Sequence, residues 1–368
     1  MEKLREKVKR IKENDIISSF FIIIYAIVCL LLFINQYNIQ YFANGFSAID
    51  DKKLQVYYFD VGQATATMVV LPNDLTMVID TGSSDSEKDF MESVNLVLEQ
   101  NNLETVDYLI LTHSDEDHVG GAVALLEKYQ IYNVIRPKIL SVSSSEVEGE
   151  SYKVVATQVY EDVITAVYNE PYCQVTFMED EAMFAGQDTY IRFFACQKDS
   201  YSETNDYSPF INIVYKNNSF LFTGDASEDR EKELIEYANE NDIDVSVDFL
   251  LVGHHGSKYS TSSEFLALTN PKFAFISAGD NLHPSYDVIK RLQENGVEEI
   301  YCTKTDGMIA VGVDESGNFV IKTMKNMIDL PLIIVLFSCV VFCLIYLFDR
   351  YYYKKRRNKY LRNKHLVL

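Results

Sequence analysis

The chain has 368 residues, of which 48% are hydrophobic and 13% aromatic, and its 33 basic and 54 acidic residues give a net charge of −21. That length holds one large domain or two ordinary ones with a full core, and 24% charged residues argue against wholesale disorder. Of six cysteines, Cys29, Cys339 and Cys343 fall in apolar runs and Cys173, Cys196 and Cys302 have no metal-pair spacing, which excludes a stapled secreted domain and a zinc finger, while the acidic balance excludes a basic nucleic-acid-coating protein.

In chain order, residues 1–15 form a tail with six Lys/Arg, and residues 16–34 follow without a single charge. About 20 apolar residues cross a hydrocarbon core as a helix, so residues 16–35 read as a transmembrane helix. A cleaved signal peptide is the competing reading. The run exceeds the usual ~7–15 apolar residues, and the small residues around Ala43 and Ala48 make only a vague cleavage site, which favours a retained anchor. Residues 45–327 then read as one domain. Strand-like runs open it at 55–61, 64–71 and 75–79, separated by Gly62 and by the turn Pro72-Asn73-Asp74. A helix is expected over 87–100, a strand over 108–111, a helix over 122–129 and a short strand over 132–135. Residues 141–150 are a polar loop. β-rich runs fill 153–223, including 189–196, 210–215 and 220–222. Helices (227–239, 262–268, 286–294) then alternate with strands (249–252, 273–277, 300–303). Hairpins followed by crossovers predict an α/β fold of two packed sheets with helices outside.

Residues 330–348 are a second uncharged run, with Pro331 in its first turn, where a missing N–H does little harm. Residues 349–368 are a tail with eight Lys/Arg. Positive flanks stay in the cytoplasm, so a two-pass membrane protein is expected, with both termini inside and residues 45–327 outside. Setting aside the fourteen basic and five acidic residues of the tails leaves 19 basic and 49 acidic residues, a charge of −30.

Five of the six histidines sit just after predicted strands, beside glycines and acids. The first junction is Leu-Thr-His113-Ser-Asp115-Glu-Asp117-His118-Val-Gly120-Gly121. Alternate side chains of extended chain face one way, so His113, Asp115 and Asp117 converge, and His118 joins them as the chain turns into a helix. Two imidazoles and two carboxylates in six residues suit two divalent ions. A solvated acidic turn capping that helix is the competing reading. The second junction is Thr-Gly-Asp225, where the carboxylate either bridges metals or caps the helix of 227–239. The third is Gly-His254-His255-Gly-Ser257, and the fourth ends in His283-Pro284.

Asp80-Thr-Gly82, the His-x-Asp-x-Asp-His run, Thr-Gly-Asp, His-His-Gly-Ser and the late His-Pro resemble the metallo-β-lactamase superfamily. More narrowly, with Asp60-Val61-Gly62-Gln63, residues 54–323 resemble the hydrolase domain of ComEC-type DNA-uptake proteins. The resemblance implies an αββα sandwich with metals at one edge between the sheets. It implies a metal set of His113, Asp115, Asp117, His118 and Asp225, completed by His254 or His255. It also implies Asp80 and Asp60 as supporting acids, and a catalytic role for Asp117 and for a substrate-facing His283. Asp at 115 follows the ComEC-type branch rather than the commoner His. No His lies between 118 and 254, where the superfamily usually has a further ligand. Ala64-Thr65 replaces the branch's Gly-Asp, and the 281–283 loop is short.

Two divalent ions, zinc or manganese, would acidify a bridging water and polarise a substrate oxygen. The oxygen-rich ligand set leans toward manganese. The resemblance favours phosphodiester hydrolysis, with extracellular DNA as a candidate substrate. A charge of −30 argues against non-specific DNA binding and for a small or cell-wall-linked phosphoester. A non-catalytic, membrane-tethered binding module keeping the fold is the reading from a different class. The lipid bilayer is the one partner the spans imply.

Overall fold

A computed structural model of the chain describes residues 52–139, 157–180, 182–184, 188–196, 198, 201–279 and 283–324, with Ile49 and eight isolated positions nearer the termini. The chain divides into two units, Asn44–Asn326 and a smaller one made of Met1–Ala43 with Met327–Leu368. In the smaller unit the Tyr25 hydroxyl and Ser338 Oγ are hydrogen-bonded at 2.6 Å. The expected spans, 16–35 and 330–348, and the polar loop 141–150 otherwise lie outside the described residues. Among the described residues no helix is long and apolar enough to cross a membrane.

The larger unit holds two mixed sheets. The first opens with a meander of β1 (Leu54–Tyr58), β2 (Ala66–Val70) and β3 (Thr76–Thr81). Then come α1 (Glu87–Asn101), β4 (Val106–Ile110), α2 (Glu116–Val119), α3 (Ala122–Lys128), β5 (Ile131–Arg136), α4 (Gln158–Asn169) and β6 (Gln174–Phe177). The second sheet is built from β7 (Ala182–Phe184), β8 (Thr189–Phe194), β9 (Phe210–Tyr215), β10 (Asn218–Phe222), α5 (Glu228–Asn241), β11 (Phe249–Leu251), α6 (Ser263–Thr269), β12 (Phe273–Ile276), α7 (Tyr286–Glu294) and β13 (Glu299–Cys302). After the short α8 (Thr303–Asp306), β14 (Ile309–Val313) and β15 (Phe319–Thr323) return to the first sheet. Strand order is β15-β14-β1-β2-β3-β4-β5-β6 in one sheet and β13-β12-β11-β10-β9-β8-β7 in the other. Both sheets change from antiparallel to parallel partway across, at β3 and at β10.

Period-2 patterning explains the layers. Phe220, Phe222, Phe249 and Phe275 face the first sheet and pack with Val56, Tyr58, Ile79 and Ile110. Their neighbours Leu221, Leu250 and Ala274 face outward onto Leu234, Phe265, Leu266, Val288 and Leu292 from α5, α6 and α7. Stacked rings run through the inner layer, Tyr58 on Phe275 and Phe220 on Phe249, each at 4.4 Å. Buried aromatic surface of this kind is the main stabilising term, about 25 cal/mol per Å² of apolar area.

Two expectations need correction. Residues 158–169, which fall within the span expected to be filled by β-rich runs, form α4. Tyr160, Val163, Ile164 and Val167 are its buried stripe at helical spacing, and the Thr157 hydroxyl caps it by accepting from the Tyr160 N–H. Tertiary packing overrides β propensity there. The strand pattern expected from sequence also stops short of β14 and β15, although β14 pairs with β1 along its whole length.

Candidate metal centre

Chain segments leaving β4, β10, β11 and β12 meet the end of β3 at one edge between the sheets. This is the carboxyl end of the parallel strands, the usual place for a ligand site in α/β sheets. Gly120 and Gly121 make the meeting possible. A Cβ would lie 2.2 Å from Ser84 N at the first and 2.5 Å from Thr81 O at the second, so α2 can press against the end of β3 only without side chains there.

Asp80 is the base of the site. It is fully buried at a left-handed backbone position. Its Oδ1 accepts from the Thr112 N–H at 2.8 Å, and its Oδ2 accepts from Thr112 Oγ1 and from His118 Nδ1, each at 2.7 Å. With its proton on Nδ1, His118 turns the Nε2 lone pair toward Asp225 Oδ1, 3.0 Å away. Thr112 Oγ1 gives its only proton to Asp80 and so accepts from His113 Nδ1 at 3.0 Å. The Nε2 lone pair of His113 is left facing the same space.

With these tautomers, the buried atoms His113 Nε2, His118 Nε2 and Asp225 Oδ1 have no hydrogen-bond partner among the described residues. Each of these three residues offers a ligand atom within 4.8 Å of the other two. Leaving such groups unsatisfied costs about 1–3 kcal/mol each, and three lone pairs aimed at one point fit a cation. The electrostatics agree. Burial alone would raise the Asp225 carboxyl, but His118 and His255 outweigh it and hold it well below the usual carboxylate range. Burial alone would lower His118, yet Asp225 and Asp80 push it well above an ordinary imidazole. Burial and the adjacent His118 hold His113 down. Two carboxylates around His118 call for positive charge, which a proton or a metal ion can provide.

A second group shares the Asp225 carboxylate. His255 Nδ1 donates to the Ser277 carbonyl at 2.9 Å, leaving Nε2 at 3.2 Å from Asp117 Oδ2 and 3.6 Å from Asp225 Oδ2. Asp117, His118 and His255 likewise bring ligand atoms within 4.8 Å of one another. Burial opposes ionisation of Asp117, but the His255 hydrogen bond and His118 prevail and lower it.

The remaining expected residues stand around this pair of groups. Asp115 Oδ2 is 3.7 Å from His113 Nε2. It occupies the N-cap position of α2 without a side-chain cap, so the solvated-turn reading does not describe it. Nor does Asp225 cap α5; the Ser227 hydroxyl does, accepting from the Asp229 N–H. His254 is half-buried, with Nε2 3.8 Å from Asp225 Oδ2 and Nδ1 3.3 Å from Asn205 Nδ2, whereas His255 is buried. The His283 ring lies 5.9 Å from that of His254, and its Nδ1 has no hydrogen-bond partner among the described residues. Asp60 is set apart, exposed two residues past β1, where partial desolvation and Asp89 raise its carboxyl against the Gly62 N–H.

Sequence reasoning missed Thr112, Thr204, Asn205 and Ser208, which hold the ligands in place. Thr112 adjoins His113 and is visible just past the end of β4. The other three carry no metal-ligand signature and reach the site only through the fold.

The chain matches the family model described as "Metallo-beta-lactamase superfamily" over residues 59–280. It is 29% identical over 260 residues to ComE operon protein 3 of Bacillus subtilis, covering 66% of this chain and 31% of that protein. To Recombination protein 2 of Haemophilus influenzae it is 30% identical over 250 residues, covering 67% and 27%. Competence protein ComA of Neisseria gonorrhoeae is 23% identical over 274 residues, covering 73% and 34%. The chain thus spans about a third of the length of the curated relatives it matches. Among solved structures, the metallo-beta-lactamase fold protein YhfI from Bacillus subtilis aligns with a TM-score of 0.44 at 11% identity, over 70% of this chain and 99% of that one. With the fold, the motif order and the family match in agreement, the chain is a member of the metallo-β-lactamase superfamily, with ComEC-type competence proteins among its relatives.

Proposed function

We propose that the chain is a membrane-anchored, metal-dependent phosphodiesterase whose hydrolase domain works outside the cytoplasm. The carrying observation is the trio of buried, unpartnered lone pairs on His113, His118 and Asp225. In this reading His113, Asp115, His118 and Asp225 hold one divalent ion, and Asp117, His255 and the same Asp225 hold a second. Such ions supply Lewis acidity and a water of lowered pKa. His255 is the better ligand of the histidine pair, because its Ser277 hydrogen bond leaves Nε2 lone-paired toward Asp117 and Asp225. Asp80 fixes the His118 tautomer. Asp117 doubles as a proton acceptor beside the reacting water, and His283 contacts the substrate.

The phosphodiester assignment rests on the competence-protein relatives, and extracellular DNA is the substrate their role suggests. A second reading, a small or wall-linked phosphoester, is favoured by the domain charge of −30, which repels a polyanion. Anchoring through residues 16–35 and 330–348, with basic tails on the cytoplasmic side, is supported by the two uncharged runs and their flanks.

The test is a hydrolysis assay on the full-length protein in detergent with manganese or zinc, offering single-stranded DNA, a small chromogenic diester and a β-lactam. DNA cleavage supports the first reading, and cleavage of the small diester alone supports the second. Asp225→Ala should abolish most of the rate. His283→Ala should impair turnover with little loss of metal. Dominant β-lactam turnover, or metal bound without hydrolysis of any ester, would overturn the proposal. The latter outcome would leave a tethered binding module.

A further inference from the structure

The turn between β8 and β9 touches each flank of the metal centre with nearly consecutive residues. Thr204 Oγ1 donates to Asp115 Oδ2 at 3.0 Å. Asn205 Nδ2 stands against His254 Nδ1. Asp206 Oδ1 accepts from the Ser227 hydroxyl at 2.5 Å, just past Asp225. Ser208 Oγ accepts from the Asp225 N–H at 3.0 Å and lies 3.4 Å from His113 Nδ1. The turn is itself well held. Tyr207 is buried edge-on to Tyr201, its carbonyl accepts from Cys196 Sγ, and the Ser208 carbonyl accepts from the buried Arg230 guanidinium.

We infer that Thr204 is a positioning residue for the metal centre, restraining the Asp115 carboxylate so that its oxygen stays at the mouth of the His113 lone pair. Asp115 needs such a restraint. Its side chain is 32% exposed, and the oxygen that takes the Thr204 proton is the same one that lies 3.7 Å from His113 Nε2. A half-exposed carboxylate loses rotamer freedom when it binds an ion, and a fixed hydroxyl removes part of that cost beforehand. The chain has no histidine between 118 and 254 to add a further imidazole at this position. Here the turn contributes a hydrogen bond to an acidic ligand. Partners of this kind change metal affinity by about 10–100-fold.

The inference rests on the metal-site reading proposed above, and its test reads affinity rather than turnover. Full-length protein in detergent, stripped with chelator, is titrated calorimetrically with manganese alone. Thr204→Val keeps the side-chain shape and removes the hydroxyl; Thr204→Ser restores it. His255→Ala identifies which binding step belongs to the other position. Expected are a loss of about tenfold in affinity of one step in Thr204→Val, no change in the step that His255→Ala removes, and recovery in Thr204→Ser. Unchanged unfolding of the chelated Thr204→Val protein would accompany this. Wild-type affinity at both steps in Thr204→Val, or a Thr204→Ser protein as weak as Thr204→Val, would overturn the inference. A wild-type protein that takes up no manganese would instead overturn the site reading beneath it, and the wild-type trace tells the two failures apart.

Discussion

Asp80→Asn isolates the part of the site that touches no metal. Three hydrogen bonds end on the carboxylate, from the Thr112 N–H, from Thr112 Oγ1 and from His118 Nδ1. Asparagine has nearly the same shape, but its one carbonyl oxygen must face the Thr112 N–H. Its NH2 then replaces Oδ2 and points at His118 Nδ1. To accept from it, His118 must carry its proton on Nε2, aimed at Asp225 Oδ1 3.0 Å away. An imidazole protonated at that nitrogen cannot ligate an ion there. A loss of 10–100-fold in metal affinity corresponds to about 1.4–2.7 kcal/mol. In chelated protein the same change removes a charge-assisted hydrogen bond worth about 1.5–3 kcal/mol, since Asp80 is one of the two carboxylates that keep the His118 ring charged. Metal titration and thermal unfolding in chelator measure the two effects separately. Wild-type affinity together with a wild-type unfolding midpoint would refute the tautomer argument.

Two further predictions concern other parts of the molecule. Burial pushes the Glu231 carboxyl from an ordinary 4.5 up to about 7, although it accepts from the Ser262 N–H at 2.8 Å and from the Thr261 N–H. A carboxyl raised in the folded state stabilises fully below its unfolded pKa and loses that contribution as pH rises through about 7. The shift amounts to about 3 kcal/mol. Glu231→Gln should flatten the stability slope across that window, and an unchanged slope would refute the assignment. For topology, protease added to intact cells should trim residues 45–327 and spare a tag at either end; loss of a tag would contradict the two-pass arrangement.

Much of the molecule is legible in the sequence because strand alternation and strand-end chemistry are local signals. The runs around Val56, Phe220 and Phe275 are short, largely apolar stretches of strand length, and five histidines at strand exits mark the site. Local signals fail where a distant neighbour decides. α4 carries strand-forming residues and is helical because its Tyr160 to Val167 stripe is buried. His254 and His255 are neighbours in sequence and diverge only through Asn205 and Ser277, residues 49 and 22 positions away. Thr204 and Ser208 reach Asp115 and His113 across 89 and 95 residues, a closeness no motif records. Asp60 shows the opposite failure, a motif position whose side chain the fold leaves outside the cluster.

The central claim is that this cluster is a binuclear metal site, and elemental analysis of the full-length protein purified without added metal tests it most directly. The account predicts close to two manganese or zinc ions per chain, falling sharply in Asp225→Ala, whose carboxylate faces His118 in one group and His255 in the other. A protein that holds no transition metal, even after reconstitution with either ion, would contradict it.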